Sequence, residues 1–328
     1  MPLVDLPLAQ LREYRPGLTR EPDFDSFWET TLNEAAGIAL DVEVAPVTDY
    51  PVPGLRLARV YYTGWGGARL CAWWIVPPDY APGAGPDGRR PTMVFYHGYG
   101  GSKGGADLYL GWALQGYCVL ALDTRGQSGD STDPLAYPGG HASGYMTMGV
   151  TDPAAYYYRG AYVDCVRALD VACAQPEADP GRIGLTGGSQ GGALTLAVAA
   201  LDPQRRAKLA MPDVPYLCHF RRAVDVAAVP PYTELAGYCR TWPEREARVF
   251  RTLSYFDNMN LAGRIACPVL MSVGLQDVCC PPSTIFATFN HLDSTEREMK
   301  VFPYNGHEGS PTHVLNKLTW ARRLVFDA

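Results

Sequence analysis

The sequence has no cluster of Lys and Arg, no C-x-x-C pair and no apolar run long enough to cross a bilayer. Its 28 basic residues are scattered and outnumbered by 34 acidic ones, for a net charge of −6. A surface for nucleic acid or an anionic membrane needs basic side chains gathered on one face, so neither partner is expected. A membrane span needs ~20 consecutive apolar residues. The opening Met1-Pro2-Leu3-Val4-Asp5-Leu6 lacks a basic segment followed by an apolar run. It therefore reads as no signal peptide and predicts a cytoplasmic protein. The nine cysteines are dispersed, and Cys71, Cys118, Cys165, Cys173 and Cys267 lie inside apolar runs. That placement predicts buried free thiols in a reducing compartment. No cysteine spacing suggests zinc, and no metal or other cofactor is expected. Cys279 and Cys280 are adjacent and read as two free thiols rather than a strained vicinal disulfide.

What is present is ample apolar material: 47% of 328 residues are hydrophobic and only 19% are charged. This suits one large α/β domain with insertions, or two ordinary domains, and the single domain is the expectation. Residues 1–55 read as a polar, helical extension, in which Phe24, Phe27, Trp28 and Leu32 recur at helical spacing and form a docking stripe. Strand-like runs follow at Leu57–Tyr62 and Leu70–Val76. Short unbroken apolar runs come next, at Thr92–Tyr96, Tyr117–Asp123, Ile183–Thr186, Lys208–Met211, Pro268–Val273 and Met299–Phe302. Runs without alternation predict strands buried on both faces, as in a parallel sheet. Helical segments fall between them. The clearest spans Ala155 to Ala174, with Tyr162, Cys165, Val166, Leu169 and Cys173 on one face; others follow Gly104, Gln190, Ser283 and Pro311. Strands alternating with helices predict a doubly wound, mostly parallel sheet. Residues 212–266 break the rhythm with prolines, aromatics and charge, and read as a largely helical cap inserted over the strand ends.

The chemistry centres on Gly187-Gly188-Ser189-Gln190-Gly191, a G-x-S-x-G motif. A strand-like run precedes it and a small, apolar, helix-forming run follows. Strand, tight Gly-rich turn and helix are the setting of a nucleophile elbow, which predicts an α/β-hydrolase fold. Ser189 would stand at a helix N-terminus, where a developing anion is favoured. A serine hydroxyl needs a base to take its proton. In α/β-hydrolases the chain order is Ser, acid, His, which excludes His97 and His141. His219 precedes the acids and falls in the cap segment; His291 lies late in a helix. His307, in a loop after the last strand, is favoured over His313, which starts the final helix facing solvent or capping it. Asp277 follows the strand Val269–Val273 and is the expected acid, with Asp257 and Asp293 as competitors that follow no strand. Its task is to accept the second ring N–H of His307. The oxyanion donors are assigned to the backbone N–H groups of Gln190 and Tyr99, the latter in the Gly-rich loop Tyr96–Gly101. His97 reads as a residue that orders that loop.

These residues bring the chain to a recognisable pattern. It resembles the acetyl xylan esterase and cephalosporin C deacetylase group, carbohydrate esterase family seven. The likeness rests on Pro22-Asp23-Phe24-Asp25-Ser26-Phe27-Trp28, Arg125-Gly126-Gln127, Tyr156-Tyr157-Tyr158-Arg159-Gly160 and the Ser189 motif. It continues through Asp277 with Pro281-Pro282-Ser283-Thr284, and His307-Glu308. The resemblance implies an α/β-hydrolase that deacetylates short acetylated xylo-oligosaccharides and cephalosporin C without a cofactor. It also implies an intracellular homohexamer with active sites facing an inner cavity, and a supporting role for Arg125 and Gln127. Other readings are a longer-chain carboxylesterase or peptidase, and a non-catalytic hydrolase-like binding module.

Overall fold

Successive residues of the central strands point to opposite hydrophobic layers. In one strand Val94 and Tyr96 join one layer while Met93 and Phe95 join the other; in its neighbour Cys118, Leu120 and Leu122 oppose Val119 and Ala121. This period of two on a strand coated on both faces explains the unbroken apolar runs. The structure, a computed structural model, describes residues 4–327. Among them one sheet holds β1 (Glu43–Val47), β2 (Arg56–Thr63), β3 (Arg69–Val76), β4 (Arg90–Tyr96), β5 (Cys118–Leu122), β6 (Ala178–Gly188), β7 (Ala207–Asp213), β8 (Val269–Gly274) and β9 (Arg297–Phe302). Their spatial order is β1-β2-β3-β5-β4-β6-β7-β8-β9. Pairings from β1 through β3 to β5 are antiparallel, and every pairing from β5 to β9 is parallel. The doubly wound, mostly parallel sheet expected from the sequence is therefore observed.

Residues 4–55 are only partly helical. They hold α1 (Leu8–Glu13) and α2 (Phe24–Ala36), but Glu43–Val47 is the edge strand β1, antiparallel to β2. Pro46 hides this strand in the sequence, yet an edge strand tolerates proline because one row of its N–H groups has no ladder partner. Phe24 and Trp28 of α2 are buried as the stripe predicts, while Phe27 and Leu32 are half-buried. The Trp28 indole donates to the Tyr255 carbonyl at 2.9 Å and lies over Tyr162.

The other helices lie in the segments that follow β4 to β9. They are α3 (Leu110–Ala113), α4 (Tyr157–Ala174) and α5 (Gln190–Leu201); then α6 (Phe220–Val226), α7 (Tyr232–Thr241), α8 (Glu246–Ser254) and α9 (Asn258–Leu261); and finally α10 (Pro282–Asn290) and α11 (His313–Ala321). Helices α6 to α9 lie between β7 and β8, and β7 itself continues to Asp213. Helix α5 is buried almost throughout. Its run of Gly, Ala and Leu is short enough in side chain to press against β6 and β7.

Candidate active site

Two glycines make the turn after β6 possible. A Cβ on Gly191 would overlap the Tyr96 carbonyl, and one on Gly187 would meet both that carbonyl and the Gly191 backbone, at 2.5 and 2.6 Å. The turn can therefore nest against the end of β4 only without side chains there. Ser189 sits between β6 and α5 at φ 57° and ψ −118°, a left-handed conformation that costs a non-glycine residue energy. Neighbours hold it there. Its N–H donates to the Asp213 carbonyl at 2.9 Å, and its carbonyl accepts from Ala193 and Tyr216 at 3.0 Å each. The strain lifts the side chain off the helix axis.

That side chain meets the C-terminal ends of two more strands. Ser189 Oγ lies 2.9 Å from His307 Nε2, and His307 Nδ1 lies 2.8 Å from Asp277 Oδ2. His307 is in the loop after β9. Asp277 is in the loop after β8 and is fully buried. Its other oxygen, Oδ1, accepts from the Cys279 and Cys280 N–H groups at 2.8 Å each. Such charge-assisted bonds hold the carboxylate aimed at the imidazole. Burial pulls the His307 pKa down, but the hydrogen bond to Asp277 and the neighbouring Cys279 thiol outweigh it and raise it. Cys279 is lowered in turn, first by its Cys280 neighbour and then by His307. In the same loop the Glu308 carboxylate accepts from the Gly306 N–H at 3.0 Å, which stiffens the turn carrying His307.

The Tyr96–Gly101 loop runs alongside. A Cβ on Gly98 would come within 4.0 Å of Ser189 Cβ, so the loop backbone passes directly by the hydroxyl. Both His97 ring nitrogens serve this loop: Nδ1 is 2.7 Å from the Gly98 carbonyl, and Nε2 accepts from the Thr124 N–H at 2.9 Å. The Tyr99 hydroxyl donates to Glu234 of α7 at 2.8 Å and accepts from the N–H groups of Tyr145 and Met146. Gln190, as the first residue of α5, has no carbonyl within the helix for its N–H.

Gln127 ties loop and elbow together. Its amide and that of Gln190 bond reciprocally at 2.9 and 3.1 Å, and its Oε1 also accepts from the Gly100 N–H at 2.8 Å. Tyr157 and Tyr158 complete the cluster, at 2.9 Å to Gln127 and 3.0 Å to Gln190. Arg125, two residues before, is fully buried and grips Asp164 of α4 through two bonds of 2.6 and 2.9 Å. A Cβ on Gly160 would strike that guanidinium, which explains the glycine in the Tyr-Arg-Gly segment.

The remaining acids and histidines are elsewhere. Asp257 is consumed by the N–H groups of His219, Phe220 and Met259, and Asp293 is exposed. His313 is not solvent-facing: it is buried, with Nε2 at 2.9 Å from Asp213, which Lys317 also holds. These three line a polar cavity of about 310 Å³ that reaches Ser189 and His307. A larger one of about 440 Å³ lies along β1 to β3 and holds no serine, histidine or aspartate. Glu234 and Cys279 were not foreseen as neighbours of the site. No local signal marks Glu234; Cys279 stands two residues after Asp277, the one signal that points to it. All nine cysteines are free thiols; Cys173, near the end of α4, and Cys267, in the loop before β8, are only half-buried.

An arrangement of hydroxyl, imidazole and carboxylate in one hydrogen-bonded row can activate an oxygen nucleophile. The acetyl xylan esterase (AXE1) family matches residues 1–324. The chain is similar in structure to an acetyl xylan esterase from Paenibacillus sp. R4, with 43% identity, TM-score 0.92, and 97% and 100% of the two chains covered. Acetyl xylan esterase 1 from Thermoanaerobacterium sp. JW/SL YS485 gives 34% identity, TM-score 0.90, and 98% and 99% coverage. Acetyl esterase Axe7A of Xylanibacter ruminicola is 28% identical over 324 residues, covering 94% of this chain and 68% of its own length. The fold is the α/β-hydrolase fold, and the chain belongs to the acetyl xylan esterase family.

Proposed function

We propose that the protein is a serine esterase that removes acetyl groups from small sugars, acetylated xylo-oligosaccharides first, and from cephalosporin C. The observation that carries this reading is the row Ser189 Oγ, His307 and Asp277 at 2.9 and 2.8 Å. Ser189 Oγ attacks the acetyl carbonyl while His307 Nε2 takes its proton. Asp277 holds the other ring N–H and stabilises the imidazolium. The Tyr99 and Gln190 N–H groups receive the oxyanion. The intermediate collapses as His307 returns its proton to the departing sugar hydroxyl, leaving acetyl-Ser189. A water, deprotonated by His307, then releases acetate and restores the serine. No step calls for a metal or cofactor.

Arg125 and Gln127 position the site without touching substrate. Helices α6 to α9 act as the cap, with Glu234 as its link to Tyr99. On the family resemblance, the reading extends to a cytoplasmic homohexamer whose inner cavity admits small substrates.

Acetate release from acetylated xylo-oligosaccharides, cephalosporin C and an acyl series up to octanoate tests the proposal. Turnover should be highest for acetyl and fall with chain length; a rise toward octanoate would identify a longer-chain esterase. Ser189→Ala should lower kcat by about 10³-fold or more, and labelling by a fluorophosphonate should disappear with it. Full turnover by folded Ser189→Ala protein would end the proposal.

A further inference from the structure

Cys279 and Cys280 take no part in the proposed acyl transfer, yet their position is not neutral. Their sulfur atoms and a ring nitrogen of His307 all lie within 4.8 Å of one another. Cys280 is buried and Cys279 half-buried, where its thiol donates to the Pro230 carbonyl at 3.4 Å. The two residues are held in place because both their N–H groups bond to Asp277 Oδ1. The loops after β8 and β9 thus converge two sulfurs and one imidazole on a single point. No sequence spacing reveals this, since 26 residues lie between Cys280 and His307.

We propose that Cys279, Cys280 and His307 form a binding site for a thiophilic divalent cation of the zinc class, and that its occupancy switches the esterase off. A tetrahedral zinc bonds sulfur at about 2.3 Å and nitrogen at about 2.0–2.1 Å, which sets its donors roughly 3.4–3.8 Å apart. From separations of at most 4.8 Å, the three donors need to close by no more than about 1.0–1.4 Å to meet that geometry. Two thiolates and one neutral imidazole suit a borderline-soft cation and not magnesium or calcium. On binding, each thiol gives its proton to solvent, two sulfur–metal bonds and one nitrogen–metal bond form, and the two thiolate charges balance the cation. The fourth position stays open to water.

Inhibition follows whichever ring nitrogen is used, a step that rests on the proposed role of His307. Nε2 already faces Ser189 Oγ and Nδ1 already faces Asp277 Oδ2. A cation on either breaks one link of the row. A second group of possible ligands, Cys71, Asp123 and Asp130, differs in one respect. The Lys103 ammonium already lies among its carboxylates, 2.7 Å from Asp130. That site has its cation.

The test uses the full-length protein, freed of metal. Buffered Zn²⁺ should abolish turnover of a small acetyl ester, and a chelator should restore it. Cd²⁺ should produce the ultraviolet charge-transfer band of a metal thiolate. In Cys279→Ser, rates scaled to its own metal-free rate should need at least about tenfold more Zn²⁺ for half inhibition, and the Cd²⁺ band should weaken, because a hydroxyl is a poor ligand for either ion. Cys71→Ser should keep both responses. An unchanged Zn²⁺ midpoint in Cys279→Ser, a missing Cd²⁺ band in the parent protein, or a full band with undiminished turnover would each overturn the proposal. A metal-free protein without esterase activity would instead count against the proposed function, and the Cd²⁺ titration of parent and Cys279→Ser would still decide the site.

Discussion

Gln127 carries three contacts on one amide group, and all three concern placement. It fixes Gln190 at the start of α5, Gly100 in the Tyr99 loop, and Tyr157 on α4. Both proposed oxyanion donors therefore hang on the same side chain. Gln127→Ala should lower kcat for a small acetyl ester by about 10- to 100-fold, the scale of a 1 Å misplacement, while KM changes little. Steady-state kinetics on the folded variant checks this; an unchanged kcat would reduce Gln127 to a packing role. At this scale the sequence was legible where chain order and strand ends constrain it. Ser189, Asp277 and His307 each follow a strand in the order a hydrolase needs, and the structure brings them into one row. Glu234 was not legible, since its contact with Tyr99 spans 135 residues. His313 was misread, because a histidine opening a helix looks exposed until Asp213 and Lys317 are placed beside it.

At the scale of elements, α2 shows how a remote helix stabilises the body. Trp28 is completely buried, stacks on Tyr162 at 5.9 Å and meets Phe256 edge-on at 5.4 Å. Trp28→Ala removes that packing and the indole bond to Tyr255, and should cost about 3–5 kcal/mol of stability. Equilibrium unfolding in denaturant gives the value; a loss below about 1 kcal/mol, the scale of an ordinary point substitution, would mean α2 is only loosely docked. The stripe of Phe24, Phe27 and Trp28 announced an apolar face, but its partners on α4 and after α8 are long-range and leave no periodic mark. The same logic separates the strands. Those coated on both faces stood out as apolar runs, whereas β1, exposed at an edge and carrying Pro46, did not. Helices α6 to α9 were expected only as a mostly helical insertion, and their boundaries depend on contacts such as Asp257 capping α9 and holding the start of α6.

At the scale of the whole molecule, that same junction sets a pH dependence of folding. His219 starts α6 at φ 42°, buried, with no partner for its Nδ1 among the described residues. Burial, with Arg222 and His291 nearby, pushes its pKa down to about 4. Protonation in the unfolded chain begins near 6.5, so this group withdraws stability as pH falls from about 6.5 to about 4. Asp257, which binds the His219 N–H, is pushed up to about 6 by burial. Its folded form takes a proton first, so it adds stability as pH falls from about 6 toward its unfolded value near 3.9. A tenfold change in proton affinity on folding is worth about 1.4 kcal/mol, so the two groups nearly offset each other in the parent protein. His219→Asn keeps a residue tolerant of the left-handed backbone and removes only the first contribution. Between pH 7 and pH 5 the variant should therefore gain about 2 kcal/mol of stability relative to the parent, read from denaturant midpoints at the two pH values. Parallel curves for the two proteins would show that His219 titrates in the fold as it does in the unfolded chain.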